Sequence, residues 1–217
     1  MLYLCYVAGS WGLADVYARP AMNLLGKWKK GQVELKDEDW NRLRGKLSKA
    51  LKLDPGNPDI HQWLGLAIEG PYARFGPGLI EAVSVRQRAA DHYRESIRLR
   101  PVWPYAWVDL ALAKYRLGEI DAEFYRALHT SIELGPWEPG VQKVVADIGM
   151  HLWDNLPKEE RLFILDTIKH ALLHSNRSHV NQMLKLVKQR GFLQFICLIV
   201  KNNNVVENYC GKELKKS

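Results

Sequence analysis

Three histidines near the carboxyl end come closest to the spacing of a metal site. His170 and His174 are one helical turn apart, and His179 follows five residues later. Two such imidazoles can share one metal ion, but a structural or catalytic zinc site takes three or four protein ligands. No cysteine or carboxylate nearby completes a set, so we interpret the histidines as exposed or half-buried helix residues and expect no metal. The cysteines follow no metal-ligand spacing and make no disulfide scaffold: Cys5, Cys197 and Cys210.

Nucleophilic, phosphate-binding and acid–base chemistry have no stronger candidates. Ser10 stands in the tetrapeptide GSWG, which is not the nucleophile-elbow pattern. The glycines between residues 65 and 78 have neither the P-loop lysine nor the dinucleotide-binding spacing. Four aspartates are scattered rather than paired for general acid–base work: Asp109, Asp121, Asp147 and Asp154. The sequence predicts a protein that is not an enzyme and that uses no cofactor.

The composition is that of a globular chain with a basic surface. It has 217 residues, 47% of them hydrophobic and 8 of them tryptophan, which suffices for one or two domains with a sizeable core. The formal charge of +7 favours acidic partners such as anionic lipid or acidic polysaccharide; we expect no nucleic acid. Many of the lysines and arginines lie in residues 27–30 and 185–216. The simplest interpretation of these clusters is solvated helix faces and a frayed basic tail.

The first residues form an apolar run that is interrupted at Asp15. Leu2 to Ala14 are 13 residues, which is short for a membrane span of about 20. The run is similar to the apolar part of a secretory signal or signal anchor, with a weak cleavage-like site at residues 16–18, although basic residues ahead of it are missing. The alternative is an apolar first helix that packs on the body of the protein. Residues 2–18 are thus a candidate for membrane association.

The middle of the chain repeats itself. Three segments end in two prolines separated by two residues: KALKLDPGNP (49–58), ESIRLRPVWP (95–104) and TSIELGPWEP (130–139). The first prolines of the second and third copies are 35 residues apart, and those of the first and second copies are 46 apart. The Gly/Pro-rich stretch EGPYARFGPG (69–78) accounts for the surplus as an enlarged loop inside the first copy.

The residues that follow each proline pair carry a family resemblance. After Pro58 comes His61-x-x-Leu64-Gly65, after Pro104 comes Trp107-x-x-Leu110-Ala111, and after Pro139 comes a more degraded copy with Gln142. A period near 34 with this pattern is typical of tetratricopeptide repeats, and the chain resembles that family over roughly residues 37 to 155. The resemblance implies an all-α solenoid of helical hairpins, with about three repeats and C-terminal capping helices.

The proline pairs also decide how RPVWPYAW (100–107) is interpreted. Two prolines among aromatic residues could form a proline-rich ligand, a sugar-stacking patch or a joint between helices. Pro104 and Pro139 suit the first position of a helix, and Pro101 and Pro136 stop the helix before them. A ligand should be extended and exposed, so recurrence at the repeat spacing favours the joint. Trp103 is the residue that such a joint does not obviously need.

The rest of the chain predicts more helices. Residues 156–174 have a helical apolar stripe, and residues 178–200 read as two helices broken at Gly191, of which 192–200 buries against the last repeat. Asn202 to Asn204 end this region, and the basic tail is expected to be loose. The predicted organisation is an N-terminal segment (1–30), repeats (31–155) with an enlarged loop at 69–80, and C-terminal helices with the tail (156–217).

The resemblance also implies where a partner would bind. In tetratricopeptide proteins the first helix of each repeat lines a concave groove, which suits an apolar helix or an extended peptide. An alternative is that the C-terminal helices fill this groove as core. The corresponding residues here are Tyr105, Val108, Leu112 and Tyr115 in the second repeat; Asp59, Gln62, Leu66 and Glu69 in the first; and Lys143, Asp147, Met150 and His151 in the third.

A narrower resemblance rests on RPVWPYAW, SIELGPWEP and the later KLVKQRGFLQFICLI. These are similar to the VpsP-like tetratricopeptide proteins of bacterial exopolysaccharide biosynthesis clusters, over most of residues 11 to 155. The resemblance implies an envelope-associated accessory protein of polysaccharide synthesis or export, anchored in the inner membrane or periplasmic, without catalytic residues.

We therefore predict a protein-interaction scaffold or adaptor whose partner is a protein, such as a polysaccharide synthesis or export component. One alternative is direct binding of an anionic polysaccharide, which requires Trp103 or Trp137 to face solvent beside a lysine or arginine. Another is a cytosolic interaction module in which residues 1–30 are an ordinary packed helix.

Overall fold

The computed structural model describes residues 2–201 and 203–215, with side chains from residue 8 onward. Within that part of the chain the regular structure is eleven α-helices and three short 3₁₀ turns, so the predicted all-α fold is confirmed. Predictions that involve Met1, Asn202 and Lys216 lie outside the described residues. The chain divides into two compact units, Met1–Tyr125 and Arg126–Ser217.

The helices are distributed over both units. The first unit holds α1 (Leu2–Lys29), α2 (Asp37–Leu53), α3 (Pro58–Glu69), α4 (Val83–Leu99) and α5 (Pro104–Leu117). Helix α6 (Ala122–Leu134) begins in it and continues into the second unit, which holds α7 (Pro139–His151), α8 (Lys158–His174), α9 (Arg177–Gln189), α10 (Leu193–Ile199) and α11 (Asn204–Glu213). Helix α1 packs on α2, α3 on α4, α4 on α5, α7 on α8, and α8 on α9.

Helix α1 is a single helix that buries one stripe against α2. The stripe is made of small and aliphatic residues three or four apart, as a helix interface requires: Ala14, Ala18, Ala21 and Leu25. This part of the N-terminal segment is therefore a packed helix. Trp11, Leu13 and Val16 are exposed. Among the described residues we find no helix that combines the length and the apolar character needed to cross a membrane.

Each proline joint is closed by the same side-chain hydrogen bond. Pro58, Pro104 and Pro139 are the first residues of α3, α5 and α7, as predicted for Pro104 and Pro139. The side chain three residues further on reaches back to the carbonyl of the first proline of the pair. His61 Nε2 donates to Pro55 over 3.1 Å, Trp107 Nε1 donates to Pro101 over 2.7 Å, and Gln142 Nε2 donates to Pro136.

The enlarged loop is held from inside. It connects α3 to α4 and contains two 3₁₀ turns, Gly70–Tyr72 and Ile80–Ala82. The buried guanidinium of Arg86 donates to the Phe75 carbonyl at 2.9 Å and to the Gly76 carbonyl at 3.1 Å, and it also donates to the Arg116 carbonyl at 2.8 Å. Because a buried guanidinium needs acceptors, Arg86 ties the loop to α5.

The C-terminal region departs from the sequence prediction in two ways. The break at Gly191 is confirmed, with φ of 79°. However, residues 192–200 do not bury fully: α10 packs on α9 and α11, and Leu198 is 72% exposed. The tail expected to be loose instead forms α11, whose first turn is capped by the Asn203 side chain, which accepts from the backbone N–H of Val205 and Val206.

A disulfide joins these last two helices, contrary to the expectation from the cysteine spacing. Cys197 of α10 and Cys210 of α11 are bonded, with their Cα atoms 5.9 Å apart. The spacing of 13 residues matches no recognised motif, and only the packing of α11 on α10 brings the two sulfur atoms together.

Candidate functional site

The predicted groove positions of the first unit differ sharply in exposure. Tyr105, Leu112 and Tyr115 of α5 are half-buried. Val108, on the same face, is buried, and so is Leu66 of α3. We define the α5 face as Tyr105, Leu112 and Tyr115, because their side chains retain exposed surface while Val108 and Leu66 belong to the core.

A chain of polar side chains runs beside the α5 face. The Asp109 carboxylate accepts from Gln62 Nε2 at 2.7 Å and from Lys29 Nζ at 3.3 Å. Gln62 Oε1 in turn accepts from the Trp103 indole N–H at 3.0 Å. Asp109 and Gln62 are buried, and buried polar groups are costly unless they are hydrogen-bonded. Gln62 is thus a structural link rather than a free groove residue.

Trp103 makes contacts beyond those of the proline joint. Its ring is 37% exposed, and the Arg100 guanidinium lies 4.6 Å from the ring centroid, in cation–π range. The Tyr105 ring also packs on it, with centroids 5.5 Å apart. Arg100 also pairs with Asp59 of α3. The hydrogen bond to Gln62 could not be expected from local sequence, because Gln62 lies 41 residues away on α3.

The last predicted groove residue of α3, Glu69, is not available to a partner because its carboxylate is buried. Glu69 is buried; it accepts from the Tyr93 hydroxyl at 2.9 Å and pairs with Arg116 at 3.0 Å. Burial, followed by the Glu69 charge, raises the pKa of Tyr93 well above its usual value, so Tyr93 stays protonated and keeps donating. Glu69 therefore binds α3 to α4 and α5.

In the second unit the predicted positions lie on α7. Lys143 is exposed. Asp147 accepts from Arg190 Nε at 2.7 Å, and a terminal nitrogen of Arg190 lies 3.2 Å from Nδ1 of His151. Met150 is buried. Arg190, at the end of α9, therefore occupies part of this surface, whereas Lys143 remains available.

Two of the three histidines, His170 and His179, hydrogen-bond to one glutamine, and His174 packs on His170. Gln142 Nε2 donates to Nδ1 of His170 at 3.0 Å, and Gln142 Oε1 accepts from Nε2 of His179 at 2.9 Å. Trp137, which is 64% exposed, packs on His170 with centroids 4.3 Å apart. In the described part of the chain there is no group of three metal-ligating side chains.

We expect this cluster to make the protein less stable as the pH falls. Burial, then the charge of His174, lowers the pKa of His170, and burial, then Lys143, lowers that of His179. Below about pH 6.5 the unfolded chain therefore binds protons that the folded chain rejects. The free energy of unfolding then falls by less than about 1.4 kcal/mol per pH unit for each histidine, and least for His170, which is only partly buried and is screened by water. Denaturant titrations between about pH 5 and 8 measure how the free energy of unfolding changes with pH.

The double variant His170→Asn, His179→Asn is the control for that experiment. Its stability should depend less on pH than that of the natural chain in the same interval. A pH dependence unchanged by the double variant would contradict the assignment to these two side chains.

Comparison with known proteins supports the fold and goes no further. No family model matches the chain, and no curated relative matches it. Among solved structures, it is similar to the thermophilic TPR protein TTC0263 of Thermus thermophilus, at a TM-score of 0.56 and 15% identity over 85% of this chain and 87% of that one. It also aligns with PilF of Pseudomonas aeruginosa at 14% identity over 94% of this chain and 100% of that one, but the TM-score of 0.37 is too low to indicate a common fold. The chain has a tetratricopeptide-type fold.

Proposed function

We propose that this protein is a non-catalytic scaffold that binds a segment of another protein on the α5 face. The observation that carries the proposal is the half-buried state of Tyr105, Leu112 and Tyr115 on the first helix of a tetratricopeptide repeat. Large side chains that keep part of their area exposed on a rigid helix are the anchors that interfaces use. The apolar and phenolic character of this surface suits an apolar helix or an extended peptide.

The polar chain beside the face supports a preformed surface. Asp109 and Gln62 fix Trp103, and Trp103 packs on Tyr105. A partner would therefore meet side chains that are already ordered, which lowers the entropic cost of binding. Lys143 of α7 is proposed as a further contact in the second unit, and Asp147 as one that a partner would share with Arg190.

We further propose that the protein acts at the bacterial cell envelope, in exopolysaccharide synthesis or export. This part rests on the resemblance to the VpsP-like proteins. The bond between Cys197 and Cys210 supports an oxidising compartment, where disulfides persist. The exposed Trp11, Leu13 and Val16 of α1 support contact of the N-terminal segment with a membrane or with an envelope protein.

A site-specific photocrosslinker tests the α5 face. Placed at Leu112 in the full chain and irradiated in cells, it should capture one protein partner. The same crosslinker at Arg98, exposed on α4, should not capture it. The double variant Tyr105→Ala, Tyr115→Ala should reduce capture by at least about tenfold, as expected for the loss of two anchor residues, with helical circular dichroism unchanged. Equal capture from both positions would refute the proposal.

Direct polysaccharide binding remains the second candidate because Trp103 meets its condition: the ring is partly exposed beside Arg100. In that case an acidic polysaccharide should bind the purified natural chain and bind a Trp103→Leu variant much more weakly. A polysaccharide that binds both equally would exclude this route.

A further inference from the structure

Helices α10 and α11 line an open cleft that the scaffold function does not use. Its volume is about 690 Å³, within the range of about 300–1,000 Å³ in which proteins bind small molecules. Much of its wall is apolar: Leu198 comes from α10, Val200 follows that helix, and Leu214 follows α11. Leu198 and Leu214 are exposed, so apolar surface that folding could have covered is left facing this cleft.

The cleft is built on a braced hairpin. The Cys197–Cys210 disulfide lies in its wall and ties the two helices together. Asn203, between them, donates to the Leu172 carbonyl at 2.9 Å, and Glu213 near the end of α11 pairs with Lys188 of α9. Three anchors hold the shape before any ligand arrives, which lowers the cost of binding.

A glycine keeps one wall open. Gly211 lines the cleft within α11, and a Cβ added there would meet no heavy atom within 4 Å. Its backbone is helical, so a larger residue would fit the helix without strain. A side chain at this position would therefore meet open space at the wall of the cleft.

The positive charge of this region favours an anionic ligand. From residue 177 to residue 215 there are seven lysines and arginines against two glutamates. Lys201 and Lys215 line the cleft, together with the acidic Glu207. Lys201 Nζ donates to the Cys197 carbonyl at 3.1 Å, which holds its ammonium beside the apolar wall and leaves further donors for a ligand.

We propose that the α10–α11 cleft binds a single-chain anionic amphiphile. The acyl chain lies on Leu198, Val200 and Leu214, and the carboxylate or phosphate head meets Lys201 and Lys215. This site is separate from the α5 face and does not depend on the proposed partner.

Calorimetric titration of the oxidised full chain tests the proposal with octanoate, decanoate and laurate, each below its critical micelle concentration. Affinity should rise by roughly fourfold per methylene, because each buried CH₂ contributes about 0.8 kcal/mol. Dodecyl phosphate should bind like laurate, and uncharged dodecanol more weakly. An affinity that does not change with chain length, or binding seen only to phosphatidylglycerol vesicles and not to the monomeric probes, would overturn the proposal.

Two variants locate the site. Gly211→Leu fills the cleft and should weaken laurate binding by at least about tenfold, the loss expected when bulk displaces the ligand's buried methylenes. Gly45→Leu is the matched control, since Gly45 also lies in an exposed helical position with no atom within 4 Å of an added Cβ; it should bind as the natural chain does. Lys201→Gln should weaken laurate but not dodecanol. Laurate binding by Gly211→Leu at the natural affinity would refute the site, and circular dichroism confirms that each variant is folded.

Discussion

Replacing Gly149 by alanine is expected to lower the free energy of unfolding by about 2–3 kcal/mol, the upper part of the range for an overpacked core. Gly149 lies on α7, where α8 crosses it. An added Cβ would lie 2.4 Å from both Cγ1 and Cδ1 of Ile164 and 2.7 Å from its Cγ2. Ile164 is buried and β-branched, so its χ1 is stiff and its side chain has little room to move aside. The two helices must separate to admit one methyl group.

A double-mutant cycle identifies this contact as the cause. Ile164→Ala alone leaves a cavity and should lower the free energy of unfolding by about 2–5 kcal/mol. In the double variant the added methyl group no longer meets the isoleucine. The loss of unfolding free energy should therefore be smaller than the sum of the two single-variant losses by about 1–3 kcal/mol. Urea unfolding followed by circular dichroism measures all three variants.

Gly45→Ala is the matched control for glycine replacement in a helix. Gly45 lies on α2 with open space around an added Cβ, so alanine there should stabilise the protein by about 0.5–1 kcal/mol through helix propensity alone. Equal effects of the two glycine substitutions would contradict the crossing argument.

The repeat architecture was predictable because it rests on local features. Proline pairs stop one helix and start the next with no help from distant residues, and they recur at the repeat spacing. The third repeat looked degraded, with Gln142 where the second has Trp107. The structure shows what the position requires: an N–H that reaches the proline carbonyl, which histidine, tryptophan and glutamine all supply. The chemistry of the joint persists where the residue type does not.

Much of the candidate site was not predictable, because it depends on contacts between distant residues. Gln62 and Asp109 are 47 residues apart, and Lys29 and Asp109 are 80 apart. Nothing local in the sequence indicates that Asp109 is buried or that Gln62 is used to hold Trp103. The motif predicted Val108 as a groove residue alongside Tyr105, but Val108 is buried and Tyr105 keeps part of its surface exposed, a difference that only packing decides.

The same distinction applies to α11 and the disulfide. The tail has the composition of a disordered end, and lysine-rich termini usually fray. Asn203 provides the cap, and Val206 and Cys210 bury one side of the helix. A helix of 10 residues is marginal alone, so this tertiary packing, absent from any local pattern, is what makes it form.

Replacing Lys114 by methionine should also lower the free energy of unfolding, by about 2–3 kcal/mol. This is at or below the lower end of the range for removing one partner from a buried ion pair. The Lys114 side chain is only 2% exposed, and its Nζ lies 2.9 Å from carboxylate oxygens of Glu119, Asp121 and Glu123. Burial alone would lower the pKa of Lys114, but hydrogen bonds to the three carboxylates raise it well above the usual value. Lys114 thus remains charged, and it joins α5 to the turn and first residues of α6. The cost stays near the lower end because the carboxylates retain contact with water, which screens them.

The loss of stability at low pH tests the ion pairs around Lys114 independently. A hydrogen bond from Arg94 lowers the pKa of Glu123 to about 2, against the opposing effect of burial and with a further contribution from Lys114. A folded-state pKa below the unfolded value of 4.5 stabilises the protein fully above that pH, and the contribution is lost as the pH falls toward about 2. In Lys114→Met the Glu123 carboxylate keeps Arg94 but loses one cation, so its pKa should rise while staying below 4.5. Carboxyl carbon chemical shifts follow Glu123 directly through such a titration.

Arg19→Met is the control that separates this network from ordinary surface pairs. Arg19 pairs with Asp15 at 2.8 Å, but both side chains are largely exposed, and such pairs contribute little because water screens them. We expect no measurable change in stability from this variant. If Lys114→Met were as mild as Arg19→Met, the buried ammonium would not be what holds the α5–α6 turn.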